Sequence, residues 1–182
     1  HNFTFYELRE IANLVHEAGK ELTVACNALM HQEMMNTIKP FLDVMKEIKA
    51  DYLVVGDAGV FHVNKRDGYH FNLIYDTSVF VTSSRQVNFW GDHGAVETVL
   101  SREIPSEELF QLSENLDFPA EVLVYGASVI HHSKRPLLQN YYNFTHIDDE
   151  KTRERGLFLS EPNDEESHYS IYEDKHGTHI FI

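Results

Sequence analysis

Cysteine is nearly absent from this chain of 182 residues, and its scarcity removes several chemistries at once. Cys26 alone permits no disulfide framework and no four-cysteine metal site, which points to a reducing, cytoplasmic compartment. The Asn-x-Thr sequences at Asn2 and Asn143 then carry no meaning as glycan sites. Basic residues are scarce too. Fifteen Lys and Arg against 29 Asp and Glu give a formal charge of −14, an unfavourable balance for broad electrostatic binding to nucleic acid or an anionic membrane. No apolar run approaches the ~20 residues of a membrane helix, and the opening HNFTFYEL has neither the basic segment nor the apolar core of a secretory signal.

Hydrolase signatures are missing as well. HEAGK at His16 lacks the second histidine of a His-Glu-x-x-His zinc motif, and no Gly-x-Ser-x-Gly elbow occurs. The run DTS at Asp76 lacks the glycine that follows in an aspartic-protease loop, and it has no second copy. Cys26 and His31 are a conceivable nucleophilic pair, but a lone cysteine in an apolar strand is more often packing.

What is present is an alternation of short apolar strands and amphipathic helices. Thr4 and Glu7 are spaced as a capping box, Phe3 and Leu8 as a hydrophobic staple, and Gly19 supplies a left-handed stop. Leu22 to Ala28, Tyr52 to Gly56, Leu73 to Asp76, Val96 to Leu100 and Ala120 to Tyr125 read as strands, each β-branched and bounded by turn residues. Between them lie a helix with Pro40 in its first turn, one capped by Asp57, one opening at Ser83 or Ser84, and one opened by Pro105 with Glu107 and Glu108 at its positive end. Strict alternation implies an α/β fold with a parallel sheet. From Tyr141 to Ser167 the alternation stops; HIDDEKTRERG and EPNDEES read as solvated loops of an insertion, and Tyr169 to Glu173 with Thr178 to Ile182 reads as a hairpin. The expected organisation is a core over 1–140, with 141–182 packed on the same domain.

The most informative stretch is EVLVYGASVIHHSKRPLLQNYYN, from Glu121 to Asn143. Its Glu-x-hydrophobic-x-x-Gly-Ala pattern (Glu121 to Ala127), with VLSREI at Val99 to Ile104 upstream, resembles the signature of the collagenase-like peptidases, family U-32. DTSVFVTSSRQVNFW, SKRPLLQNYYNFT, RGLFLSEP and HYSIYEDKHGTHIF resemble the shorter, Gram-positive branch of that family in the right order, so the resemblance covers nearly the whole chain. The resemblance implies a (β/α)-barrel-like domain, of which this chain would be an incomplete fragment. It also implies one of three roles: a protease, as the family name has it; support of prephenate-dependent hydroxylation of the transfer-RNA wobble uridine; or a non-catalytic partner subunit. Relatives that hold an iron–sulfur cluster use four cysteines, two of which fall where this sequence has Val129 and Pro136, so no cysteine-held cluster is expected. Members of the branch are thought to work in pairs, which implies a homologous partner subunit or a homo-oligomer.

In a parallel sheet the carboxyl ends of the strands share one face, where α/β proteins keep their ligand sites. Those ends are Asn27, Asp57, Asp76 with Thr77, Arg102 with Glu103, and Tyr125 with Gly126, followed shortly by His31, Arg85 and Asn88. Arg85, Arg102 and Arg135 could converge there, and guanidinium forks bind carboxylates and phosphates, so the set suits an anionic ligand; prephenate, the small dicarboxylate that the resemblance implies, is one the set could bind. Asp76 and Glu103 are the candidate acid/base groups, joined by His131 because it lies in the signature stretch. Asn27, Arg85, Asn88, Arg102, Tyr125, Lys134 and Arg135 are the candidate binding residues, and Lys134 with Arg135 is the local patch that transfer RNA would need. Asp57 is equally a good helix cap, and Arg102 and Glu103 equally a simple ion pair. No metal-ligand spacing emerges from the 12 histidines: His131 and His132 are adjacent, so in extended chain they face opposite sides.

Overall fold

The computed structural model describes residues 3–77, 80–147, 156–161, 163–174 and 177–182. The chain divides into two compact units, His1–Leu123 and Val124–Ile182. Residue 140, the boundary suggested by composition, falls inside a helix of the second unit.

In the first unit α1 (Phe5–Glu17) opens with the capping box: Glu7 N donates to Thr4 Oγ1 at 3.3 Å and Thr4 N donates to Glu7 Oε2 at 2.7 Å. Gly19, at φ +65°, ends it in the left-handed conformation that glycine adopts without steric cost. Then follow β1 (Thr23–Cys26), α2 (Gln32–Met35), α3 (Ile38–Glu47), β2 (Tyr52–Val55), α4 (Ala58–Arg66), β3 (Asn72–Tyr75), α5 (Ser84–Asp92), β4 (Ala95–Val99), α6 (Ser106–Ser113) and β5 (Ala120–Glu121). All five strands are parallel, in the order β1-β2-β3-β4-β5. Leu42 and Met45 of α3, Leu53 and Val55 of β2, Val60 of α4 and Val87 of α5 are fully buried, each contributing about 1.5–3 kcal/mol. Asp51 ties the amino ends of β1 and β2 to α1, since its Oδ2 accepts from Leu22 N at 2.7 Å and meets His16 Nε2 at 3.1 Å.

The fifth strand corrects the sequence reading. Only Ala120–Glu121 pairs, with β4, and Val124 and Tyr125 are 92% and 94% exposed rather than buried. β5 is an edge strand, and a chain with one neighbour stays in the ladder only as far as that neighbour runs.

The second unit is antiparallel: β6 (Val129–Ser133), α7 (Leu137–Thr145), β7 (Phe158–Glu161), β8 (Asp164–Asp174) and β9 (Gly177–Phe181), in sheet order β6-β9-β8-β7. The expected hairpin is present, with Glu173 opposite Thr178 and Asp174 opposite Gly177. The expected loop insertion over 141–167 is not: it contains the end of α7, all of β7 and the start of β8, while 148–155 lie outside the described residues. Of EPNDEES, Glu161 ends β7 and Asp164 to Ser167 begin β8, paired with it in an antiparallel ladder, a setting that tolerates charge where a buried parallel sheet does not. Among the described residues no helix is long and apolar enough to cross a membrane.

Candidate functional site

Three strand ends of the first unit meet closely. Gly56 follows β2, and a side chain there would press on the Asn27 carbonyl oxygen and come within 3.0 Å of the Asp76 carbonyl oxygen. Glycine is what lets the chain after β1, β2 and β3 crowd together at the carboxyl edge. Asn27 Nδ2 donates to Asp76 Oδ2 at 3.3 Å across that gap, so two of the candidate residues are in direct contact. Asp57 is the helix cap that the sequence allowed: Gly59 N donates to Oδ1 at 2.7 Å, and Met30 N donates to Oδ2 at 2.8 Å, which also pins the β1–α2 loop over the strand ends. Beneath them Tyr75 stacks on Trp90, ring centroids 3.8 Å apart, with Phe61 edge-on to Tyr75. Burial, and then the Asp57 charge, push the Cys26 thiol up, so it rests as the un-ionised and poorly nucleophilic form.

Arg85 stands exposed in the first turn of α5, after β3, and Arg102 and Glu103 stand exposed after β4. Because β3 and β4 are neighbours in a parallel sheet, these two loops leave from adjacent strand ends. Glu103 N donates to Ser101 Oγ at 3.4 Å, and Ser101 N donates to the Val81 carbonyl at 2.8 Å, so the loop after β4 is held to the chain before α5. Asn88 is held within the unit. Its Nδ2 donates to Asp117 Oδ2 at 2.6 Å and Asn115 O at 3.1 Å, and its Oδ1 accepts from Asp117 N at 2.9 Å, so the amide braces α5 against the segment leading into β5.

The remaining candidates, Tyr125, His131, Lys134 and Arg135, belong to the second unit and are exposed there. His131 registers with Ile180 and His132 with His179, so the adjacent histidines do occupy opposite faces of the sheet. The amino end of α7, just beyond Arg135, is filled from within the protein. Leu138 N and Gln139 N donate to the Glu173 carboxylate at 2.8 and 3.3 Å, Leu137 N donates to Thr178 Oγ1 at 3.0 Å, and Thr178 Oγ1 lies 2.7 Å from Glu173 Oε2. Sequence reasoning missed Glu173 and Thr178, and also a stack of His132 on His179, centroids 4.5 Å apart and rings 14° from parallel. The readable signal was the alternation His168-x-Ser170-x-Tyr172 followed by His179-x-Phe181 across a hairpin.

The family model for peptidase family U32 matches residues 1–158. The chain belongs to peptidase family U32. Among its relatives, tRNA hydroxylation protein P2 of Bacillus subtilis is 29% identical over 98% of this chain, and tRNA hydroxylation protein P1 of the same organism is 25% identical over 77%. The chain spans 58% and 33% of their lengths. A solved U32 peptidase structure superimposes with a TM-score of 0.56 at 15% identity, over 68% of this chain and 53% of that one, which shows a shared fold. A four-cysteine cluster does not fit the donors of this U32 chain, whose single thiol, Cys26, lies in β1. Among the described residues no group of three or more His, Cys, Asp or Glu side chains is placed to hold a metal ion.

Proposed function

We propose that this chain supports hydroxylation of transfer RNA in the cytoplasm, with the carboxyl edge of its parallel sheet taking prephenate, a small dicarboxylate, as co-substrate. The observation that carries the reading is the similarity to tRNA hydroxylation protein P2, which runs through 98% of the chain and so includes both units. The strand order supports a barrel: five parallel strands run in sequential order with no reversal, as strands of a (β/α) barrel do, whereas the order of a doubly wound sheet reverses at a switch point. Arg85, in the first turn of α5, and Arg102, on the loop after β4, are the carboxylate forks, and the Asn27–Asp76 pair orients what lies between. Asp76 and Glu103 at that edge, and His131 by itself in the second unit, are groups suited to moving protons. Tyr125, Lys134 and Arg135 serve the RNA. In a chain of charge −14 these few cations cannot neutralise many phosphates, so a homologous partner subunit or a second copy supplies the rest of the electrostatic contact.

The test is mass spectrometry of nucleosides from total transfer RNA in parent cells and in cells deleted for the full-length gene and its nearest homologue. Loss of the hydroxylated wobble uridine, restored by the wild-type gene, is expected. An unchanged profile in the double deletion overturns the reading and turns attention to the protease alternative, for which chelator-sensitive cleavage of gelatin by purified full-length protein is the assay.

A further inference from the structure

The two faces of the parallel sheet in the first unit are unlike. On one lies the core, where Leu53, Val55 and Tyr75 of the strands pack with Leu42, Met45 and Val60 of the helices. Strand alternation puts Ala25, Val54, Ile74, Val99 and Glu121 on the other. There Ala25 and Glu121 are exposed, and Val54 and Val99 half-buried. Asn27 and Asp76 continue this second face at the carboxyl edge, two residues on from Ala25 and Ile74, and touch across Gly56, which has no side chain.

Glu97 reaches the same face through an irregularity in the ladder. Leu73 pairs with Ala95 but Ile74 with Glu97, so β4 carries one residue more than β3 between those pairs. In an unbroken register Glu97 would stand opposite Tyr75, on the core face. Instead Thr98 takes that place, fully buried and with no hydrogen-bond partner for its Oγ1. A bulge re-aims a side chain, and bulges between parallel strands are rare; here the fold tolerates an orphaned hydroxyl to turn a carboxyl outward. Val99 registers with Glu121, which makes Glu97 and Glu121 diagonal neighbours on adjacent strands, about 7–8 Å apart and within reach of each other as long side chains. None of the five strands contains Lys, Arg or His.

We infer that Glu97 and Glu121 are further residues of the strand-end site and set its specificity, holding a proton between them when an anion occupies the strand ends and losing it when the anion leaves. The inference rests on the reading of those ends as an anion site. Two carboxylates side by side without a cation do not ionise together. Burial, and then the Glu121 charge, raise the Glu97 carboxyl above its ordinary range, so Glu97 keeps the proton longer. The other titratable groups on this face, Asp76 and Tyr52, offer no positive charge to offset it. An anion held by Arg85 and Arg102 at the edge therefore meets one negative charge fewer when the pair is protonated. By linkage, proton and anion favour each other by the same factor. A unit charge ~10 Å from a dianion in a solvated site changes affinity about fivefold.

Calorimetry on the full-length protein tests this with oxalate, a dicarboxylate ionised throughout about pH 5 to 8. Wild type is expected to bind about fivefold more weakly at pH 8 than at pH 5 and to take up protons on binding, seen as heats that vary with the ionisation enthalpy of the buffer. Glu97→Gln keeps the shape without the charge; it should bind oxalate more tightly than wild type at pH 8 and take up fewer protons, while Glu97→Asp keeps the pH profile. Carbon-13 NMR of the glutamate carboxyls follows the pair directly, and Glu97 should titrate at lower pH in Glu121→Gln. A pH profile that Glu97→Gln leaves unchanged overturns the inference, and so does weaker binding by Glu97→Gln at pH 8, the result a merely structural role would give. If Arg85→Ala and Arg102→Ala abolish oxalate binding but wild type binds it without proton uptake, the anion site stands and the pair is wrong. If wild type binds no oxalate at any pH, the anion site itself fails, and the role of the pair falls with it.

Discussion

Glu173→Ala should uncouple α7 from its sheet. The N-cap position of α7 is Pro136, whose side chain has no acceptor, and the backbone donors at the second and third helical positions, Leu138 and Gln139, are satisfied instead by Glu173 from β8. Removing a capping side chain costs about 0.5–2 kcal/mol. A carboxylate at a helix amino end adds about 0.3–1 kcal/mol through the dipole, an effect that overlaps the first. Thr178 Oγ1, fully buried and 2.7 Å from the carboxylate, keeps only the Arg135 carbonyl at 2.9 Å as an acceptor, so the loss is not confined to the helix. A destabilisation of about 2 kcal/mol follows. Glu173→Gln keeps one acceptor oxygen but turns an amide donor toward a backbone donor, and should lose about half as much. In a unit of this size about 1 kcal/mol moves Tm by roughly 4–8 °C. Urea unfolding gives the free energies, and hydrogen exchange at the Leu138 and Gln139 amides locates them. A change below about 0.5 kcal/mol in the alanine variant, with those amides still protected, would refute the assignment of Glu173 as the cap.

Gly56→Ala should cost roughly 1–3 kcal/mol, because the added carbon meets the Asn27 and Asp76 backbone rather than a side chain that can move aside; an unshifted thermal melt would show that the strand ends are not crowded. The Asp51 carboxyl is held below its usual range, first by the Leu22 N–H and then by His16. Its contribution is therefore present above the unfolded value of about 3.9 and lost as pH falls through the lower folded value. Asp51→Asn should be less stable at neutral pH and lose less between pH 4 and pH 2, as read by urea midpoints; parallel pH profiles would contradict this. Arg85→Ala and Arg102→Ala in the full-length protein should each weaken prephenate binding about tenfold by calorimetry, and unchanged binding in both would remove the carboxylate site from the strand ends.

The first unit was legible because its signals are local. The spacing of Thr4 and Glu7, the β-branched runs at Tyr52 to Val55 and Leu73 to Tyr75, and the acceptor at Asp57 each act within a few residues, and strands β1 to β4 begin and end within one or two residues of the expected ones. Val122 to Tyr125 misled because an apolar run reports affinity for a neighbour without reporting whether the neighbour is there; as an edge, it stays exposed. α7 and β6 were harder still. VIHHS is too polar to read as a strand, and Leu137 to Thr145 carries no capping signal because its cap, Glu173, is 36 residues beyond its first residue. The candidate site was legible to the same degree. Residues at the ends of parallel strands could be named, and Asn27 with Asp76 proved to touch. Asn88 could not be assigned, since nothing near it in the chain announces Asp117 as its partner.

Tyr172 and Glu173 are consecutive, and on a strand consecutive side chains belong to opposite faces. One lies opposite His179 across the hairpin and the other holds the helix, so a slip of one residue between β8 and β9 would turn Glu173 outward and Tyr172 inward together. The hairpin's register thus works as a parity check. A pairing misaligned by one residue leaves α7 uncapped in the same step that it parts Tyr172 from His179.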